Sequence, residues 1–167
     1  MVIQVRVDDR LIHGQVALVW TKELRTSGII VANDGAPGND VLRMTLQMAT
    51  PTGQKLLVKT IADSARIIND ERGREKRIFA LTNSVRDVLR LVKACPGNIH
   101  SVNIANAGRF DNSDPAGKVR LCSTILVNPD ELAAAKELVT LGIPVFNQVI
   151  PENRQVPIQE LLDAVKV

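Results

Sequence analysis

The stretch Val2-Ile3-Gln4-Val5-Arg6-Val7-Asp8-Asp9-Arg10-Leu11-Ile12-His13-Gly14-Gln15-Val16 carries the strongest structural signal in this chain of 167 residues. Residues 2–7 are rich in Val and Ile and have the length of a β-strand. Apolar residues at helical spacing begin with Val16 and continue through Val19 and Trp20. The polar segment between them is therefore predicted to be a loop that joins a first strand to a first helix.

The same alternation of strand and helix continues along the chain. Short apolar runs predict further strands at residues 28–33, 56–59, 77–82, 98–104, 119–127 and 143–149. Helical periods predict helices near residues 41–49, 85–92, 132–139 and 161–165. We therefore predict one α/β domain over residues 1–167, with a mostly parallel sheet of about seven strands flanked by helices. His100 falls within a predicted strand, so we expect it to have a packing role.

Composition excludes several classes of protein. The chain has one Trp, three Phe and no Tyr, which argues against nucleic-acid modules that stack bases on aromatic side chains. The net charge is +3, and the basic residues are dispersed among acidic ones. Two cysteines without CxxC spacing predict no metal site and no disulfide framework. No signal peptide or membrane span is apparent, so we expect a cytoplasmic protein.

His13 is the candidate catalytic residue. It lies at the carboxyl end of the first predicted strand, where open α/β sheets bind ligands, and next to a helix N-terminus, where free N–H groups and the helix dipole favour anions. A neutral imidazole nitrogen can attack phosphorus. Arg10 supplies a planar fork for phosphate oxygens, Gly14 lets an oxyanion approach the backbone, and the N–H of Gln15 can point at it. Asp9 either holds the loop or fixes the imidazole tautomer.

These residues also have simpler interpretations. A single histidine in such a loop is often a surface residue or a helix cap, Arg10 can be paired with Asp8 or Asp9, and Gly14 can be a turn glycine. A second functional hypothesis is a noncatalytic module that binds nucleotides or anions. However, no strand is followed by a GxGxxG or GxxxxGK[ST] sequence, which weakens that hypothesis.

The segment 6–16, Arg-Val-Asp-Asp-Arg-Leu-Ile-His-Gly-Gln-Val, closely resembles the active-site signature of the IIB component of the mannose/fructose/sorbose family of the phosphoenolpyruvate-dependent sugar phosphotransferase system. The resemblance continues at residues 30–34, 102–108, 137–144 and 149–151, and so covers essentially the full chain. It implies a first strand adjacent to the fourth. It also implies that His13 carries a phosphoryl group stabilised by Arg10.

Two further site residues follow from that implied topology. Asp34, after the second strand, either shapes the same crevice or caps a helix. Thr82, after the fourth strand, either donates its hydroxyl to a phosphate or belongs to a helix cap. The loop after the fifth strand departs from the Gly-Gly pair that is frequent in the family, and residues 109–115 are rich in turn formers, so partner choice can differ here.

The resemblance also implies partners. A IIA phosphohistidine donates to His13, and the phosphoryl group passes to a sugar bound by the membrane subunits IIC and IID, with which the protein is peripherally associated. No cofactor and no nucleic acid are expected, and a homodimer is compatible with the family. The sugar stays open among mannose, fructose, sorbose and amino sugars. A IIB-like regulatory protein is a third hypothesis, because its His13 loop would look the same.

Overall fold

The first strand, β1 (Val2–Asp8), lies inside a seven-stranded sheet, and the computed structural model describes all of residues 1–167. The strand order is β3-β2-β4-β1-β5-β8-β9. β1 pairs in parallel with β4 on one side and with β5 on the other, so the first and fourth strands are adjacent, as the resemblance implied. Within this sheet only the pairing of β8 with β9 is antiparallel.

The remaining elements alternate along the chain, which makes the protein an α/β domain of the predicted class. The other strands are β2 (Gly28–Ala32), β3 (Lys55–Lys59), β4 (Ile78–Thr82), β5 (Val102–Asn106), β6 (Val119–Cys122), β7 (Ile125–Val127), β8 (Val145–Asn147) and β9 (Val156–Pro157). The helices are α1 (Gly14–Glu23), α2 (Asp40–Ala49), α3 (Ile61–Asn69), α4 (Val85–Ala94), α5 (Pro129–Leu138) and α6 (Ile158–Val165). None of these helices has the length and apolar character needed to cross a membrane.

Two apolar clusters cover the two faces of the sheet. In β2, Ile30 belongs to a large cluster that includes residues of α3, α4, α5 and α6, whereas Ile29 and Val31 belong to a smaller cluster with Trp20 of α1 and Leu46 of α2. Successive strand residues point to opposite faces. Both faces are therefore buried under helices, which explains why the strands are apolar at nearly every position.

The structure corrects four details of the sequence prediction. Residues 119–127 form a separate antiparallel hairpin of β6 and β7 rather than one strand of the main sheet. Helix α3 was not predicted, although Ile61, Ala65 and Ile68 mark its buried side. The fifth strand begins at Val102, not at residue 98. His100 consequently precedes β5 and is exposed, so its predicted packing role was wrong.

Candidate functional site

A backbone hydrogen bond and two buried apolar side chains hold the loop that carries His13 in place. Its turn is closed by a hydrogen bond of 2.9 Å from the N–H of Leu11 to the carbonyl of Asp8. Leu11 has a φ of +56°, which is strained for a residue with a branched side chain. Leu11 and Ile12 are both buried in the cluster that contains Trp20, and this burial holds the strained turn in place. His13 is thereby fixed at the position before the first residue of α1.

Asp8 is the fully buried acceptor beneath His13. Its Oδ2 accepts hydrogen bonds from Nη2 of Arg6 and from Nδ2 of Asn106, each at 3.1 Å, and lies 3.1 Å from Nε2 of His13. Its Oδ1 accepts the backbone N–H of Arg10 at 3.2 Å. Burial alone would raise the pKa of Asp8, but the hydrogen bond with His13 and the charge of Arg6 outweigh it, so this pKa lies below its ordinary value. The carboxylate is therefore ionised at neutral pH.

This carboxylate fixes the chemistry of the imidazole. An ionised carboxylate only accepts hydrogen bonds, so Nε2 of His13 must carry the proton. The neutral ring then has its lone pair on Nδ1, which has no hydrogen-bond partner within the chain. The side chain of His13 is 19% exposed, so part of the ring is open to solvent and most of it is covered by the loop and the sheet. The arrangement presents a nucleophilic nitrogen with its ring orientation already set.

Arg6 was not singled out by the sequence reasoning, yet it holds Asp8 in place. Its side chain is fully buried, donates to the carbonyls of Gln148 and Val149, and lies 5.5 Å from the ring centroid of Trp20. Burial lowers the pKa of this guanidinium, and the charge of Asp8 opposes that shift. The available signal was the alternation of Gln4, Arg6 and Asp8 in an apolar strand, which places three polar side chains on one buried face.

The N-terminus of α1 is open beside His13. His13 stands at the cap position but its side chain makes no capping hydrogen bond, so the N–H groups of the first turn are free for a ligand. Gly14 has a φ of +47°, and a Cβ at this position would meet no atom within 4 Å. Gln15 is exposed. These residues are brought together with His13, as the sequence predicted.

Arg10 lies on the same loop with its charge available. Its side chain is 49% exposed, and its Nε is 4.0 Å from Oδ1 of Asp8, the one acidic group near it. Its guanidinium carbon lies 5.2 Å from the ring centroid of Phe110, in the loop after β5. The guanidinium therefore keeps its hydrogen-bonding groups free for an anion.

Asp9 holds two loops together. Its Oδ1 accepts the N–H of Gly108 at 2.9 Å, and its Oδ2 accepts the N–H groups of Arg109 at 2.9 Å and Phe110 at 3.2 Å. The hypothesis that Asp9 fixes the imidazole tautomer was wrong, because Asp8 provides that contact. The alternative, that Asp9 holds the loop, agrees with these three hydrogen bonds.

Asp34 and Thr82 make contacts elsewhere. Asp34 accepts the N–H of Ile61 at the start of α3 and a hydrogen bond from Arg90 of α4. It contacts no residue of the His13 loop and corresponds to the helix-capping alternative. Thr82 lies opposite Val7 in the sheet, is fully buried, and donates its hydroxyl to the carbonyl of Ser84. Its hydroxyl therefore cannot meet a phosphate at the surface, and its predicted role as a donor was wrong.

Comparisons with known proteins agree on one family. The family model for the sorbose-subfamily IIB component of the phosphotransferase system matches residues 2–167. A probable phosphotransferase enzyme IIB component of Streptococcus pyogenes is 52% identical over 98% of this chain and 100% of that protein. The mannose-specific EIIAB component of Escherichia coli is 30% identical over 96% of this chain, which spans 48% of that longer protein.

A solved structure supports the same assignment. The crystal structure of the IIB domain of the sorbose permease from Klebsiella pneumoniae superimposes with a TM-score of 0.87 at 28% identity, over 98% of this chain and 97% of that one. Three findings therefore support the same family: the sheet order, the loop at the end of β1 and the full-length family match. This chain belongs to the sorbose-subfamily IIB components of the phosphotransferase system, and is a phosphocarrier in sugar uptake.

Proposed function

We propose that His13 is the phosphorylated residue of this IIB component, and that the phosphoryl group is bonded to Nδ1. One observation carries the proposal. Nε2 of His13 faces Oδ2 of the buried Asp8 carboxylate at 3.1 Å, so the lone pair is left on the nitrogen that faces away from it. His13 acts as a covalent relay and not as a general base.

The transfer balances without a cofactor. The lone pair of Nδ1 attacks the phosphorus of the donor, the donor's own N–P bond breaks, and that electron pair returns to the donor nitrogen. The ring of His13 gains positive charge because it keeps the proton on Nε2. The Asp8 carboxylate stabilises this charge through a charge-assisted hydrogen bond. In the second step a sugar hydroxyl oxygen attacks the phosphorus, the N–P bond breaks with its electron pair returning to Nδ1, and the hydroxyl proton is released to water.

The loop around His13 offers positive charge and N–H donors to the moving phosphoryl group. Arg10 supplies an exposed guanidinium whose hydrogen-bonding groups are free, and the uncapped first turn of α1 supplies backbone N–H groups. Gly14 adds no side chain to this turn, and the space where its Cβ would lie is open. In phosphoryl transfer the protein contributes mainly such positioning and charge stabilisation.

The partners follow from the family. IIB components work with a IIA component and with membrane subunits IIC and IID, and we propose that a IIA phosphohistidine is the donor to His13. Fusion of IIA and IIB in the EIIAB relative of Escherichia coli supports this pairing. The acceptor is then a sugar held by IIC and IID, with this protein bound at their cytoplasmic side. A homodimer is also compatible with the family.

The test is phosphorylation by the phosphorylated IIA protein of the same system, followed by mass spectrometry. The wild-type chain is expected to gain one phosphoryl group in an acid-labile, base-stable linkage. His13→Ala should abolish the gain, whereas His100→Ala, which changes the other and exposed histidine, should not. An unchanged mass of the wild-type protein with an active donor, or labelling that survives His13→Ala, contradicts the proposal.

A further inference from the structure

The start of the loop that follows β5 is hydrogen-bonded to the His13 loop. The backbone N–H groups of Gly108, Arg109 and Phe110 all donate hydrogen bonds to the carboxylate of Asp9. On its other side, Nζ of Lys118 donates to the carbonyl of Gly108 at 2.7 Å. Four hydrogen-bonding groups of one short segment are thus committed, so its position relative to the His13 loop is fixed.

Phe110 lies on this fixed segment, and its side chain is exposed. Its side chain is not packed into either apolar cluster, and the residue is 56% exposed. The guanidinium carbons of Arg10 and Arg109 lie 5.2 Å and 5.6 Å from the centroid of its ring. Both distances are within the range at which an aromatic face attracts a cation. The ring is the one aromatic contact of Arg10, whose single ion pair is long.

Two guanidinium groups therefore lie near one aromatic ring, and no acidic side chain forms a close ion pair with either of them. Arg109 makes no salt bridge, and Arg10 has only the 4.0 Å contact with Asp8. The nearby acids are committed, Asp9 to the backbone of the loop and Asp111 to Lys118. Both guanidinium groups are therefore open to an anionic ligand, whose charge would offset their mutual repulsion.

We propose that Phe110 is a positioning residue, which holds the guanidinium of Arg10 beside His13. Arg10 and Arg109 together then form a two-arginine binding site for the oxygens of the transferred phosphoryl group. This inference rests on the proposed phosphorylation of His13. Asp9 supports this two-arginine binding site, because its carboxylate connects the loop that carries Phe110 to the loop that carries Arg10. The absence of the family's frequent Gly-Gly pair marked this loop as unusual in the sequence, but nothing in the sequence assigned a role to Phe110 itself.

The test uses phosphoramidate as the donor, because a small donor removes any contribution from docking of a partner protein. Nδ1 of His13 takes the phosphoryl group, the P–N bond of phosphoramidate breaks, and ammonia leaves. The measured quantity is the rate of phosphorylation of the full chain by intact-mass analysis. A cation–π contact at an exposed site is worth roughly 0.5–1 kcal/mol, so Phe110→Leu should slow phosphorylation by about two- to fivefold. Phe110→Trp, which retains an aromatic face, should restore the rate.

A double-mutant cycle separates positioning from a purely structural role. In an Arg10→Ala background, Phe110→Leu should have a smaller effect on the rate, because only Arg109 is then left for the ring to hold. Arg109→Ala should slow the reaction, whereas Arg66→Ala, at an arginine that is 81% exposed on α3, should not. A wild-type rate for Phe110→Leu, an equal loss in both backgrounds, or failure of Phe110→Trp to restore the rate overturns the inference.

The same experiment distinguishes the two proposals. If the wild-type chain is not labelled on His13 at all, the proposed function fails. If His13 is labelled and the Phe110 variants behave like the wild type, only the present inference fails. Because Phe110 is exposed, its replacements are expected to keep the wild-type circular dichroism spectrum, which provides the folding control.

Discussion

Replacing Asp8 with asparagine removes the group that links stability to chemistry in this protein. All the groups that face the Asp8 carboxylate are donors: the backbone N–H of Arg10 on Oδ1, and the side chains of Arg6, Asn106 and His13 on Oδ2. An asparagine amide has one oxygen and one NH2 group. In either orientation its NH2 group must face a donor, and the positive charge of Arg6 loses its counter-charge.

The expected loss of stability is large because the ion pair has no access to water. Arg6 and Asp8 are both 0% exposed, and removing one partner of a buried pair typically costs about 3–5 kcal/mol. Asp8→Asn should therefore lower the free energy of unfolding by an amount in that range. Asp40→Asn is the matched control, because Asp40 is 86% exposed in an ion pair on α2 and should change stability by less than about 0.5 kcal/mol.

The rate of phosphorylation should fall as well. The carboxylate stabilises the positive charge that develops on the His13 ring, and a hydrogen bond to a charged group is worth roughly 1.5–3 kcal/mol. At about 1.4 kcal/mol for each factor of ten, this is roughly a 10- to 150-fold slower reaction. The rate is measured on protein that circular dichroism shows to be folded, so that loss of structure is not mistaken for loss of catalysis.

The pH dependence gives an independent check. The pKa of Asp8 in the folded protein lies below its ordinary value, so its contribution to stability is complete above the unfolded carboxyl pKa of about 3.9 and is lost as the pH falls through the lower folded value. Wild-type stability should therefore fall more steeply below pH ~4 than that of Asp8→Asn. Urea unfolding followed by the fluorescence of Trp20, the single tryptophan, measures both.

Two results would refute this reasoning about Asp8. One is an unfolding free energy within about 1 kcal/mol of the wild type, the size of an average point substitution, since removal of the buried carboxylate would then have no special cost. The other is a wild-type rate of phosphorylation in a folded Asp8→Asn protein, since Nε2 of His13 would then need no ionised acceptor.

Three further predictions concern the loop after β5, a helix cap and the cysteines. Gly108→Ala should slow phosphorylation and destabilise the fold by about 1–3 kcal/mol, because the new Cβ would lie 1.7 Å from a backbone oxygen of β7. Gly117→Ala is its control, and equal stability of the two variants would contradict the prediction. Glu131→Ala should lower the free energy of unfolding by about 1–3 kcal/mol, since its buried carboxylate accepts the first two N–H groups of α4; a change below 0.5 kcal/mol, the scale of a neutral surface change, would contradict it. Burial raises the pKa of Cys95 to about 11, so a thiol reagent at pH 8 should label the partly exposed Cys122 first, and faster labelling of Cys95 would refute this.

Much of the fold was predictable because local signals agree with it. The caps illustrate this: Asn128, Pro129 and two acidic residues predicted the start of α5, and the side chain of Asn128 does accept the N–H of Glu131. The hairpin of β6 and β7 was missed because residues 119–127 form a single apolar run, whose break at residues 123 and 124 carries no Gly or Pro. Strand β9 has only two residues, too few to show any period.

The site was predictable only in part, for a physical reason. His13, Arg10 and Gly14 are adjacent in sequence, and a strand-to-helix loop brings adjacent residues together. The acceptor beneath the imidazole depends instead on which face of β1 lies on the side of the His13 loop, and sequence order alone does not tell Asp8 from Asp9. Contacts across the sheet, such as that of Phe110 with Arg10, join residues 100 positions apart, and no local pattern encodes them.

The central claim is that His13 carries phosphorus on Nδ1. Its most direct test is phosphorylation of the 15N-labelled protein, followed by NMR of the histidine ring nitrogens and of phosphorus. The structure predicts phosphorus coupling to Nδ1 of His13, with the proton retained on Nε2 beside Asp8. Phosphorus on Nε2, or on any residue other than His13, would contradict the account.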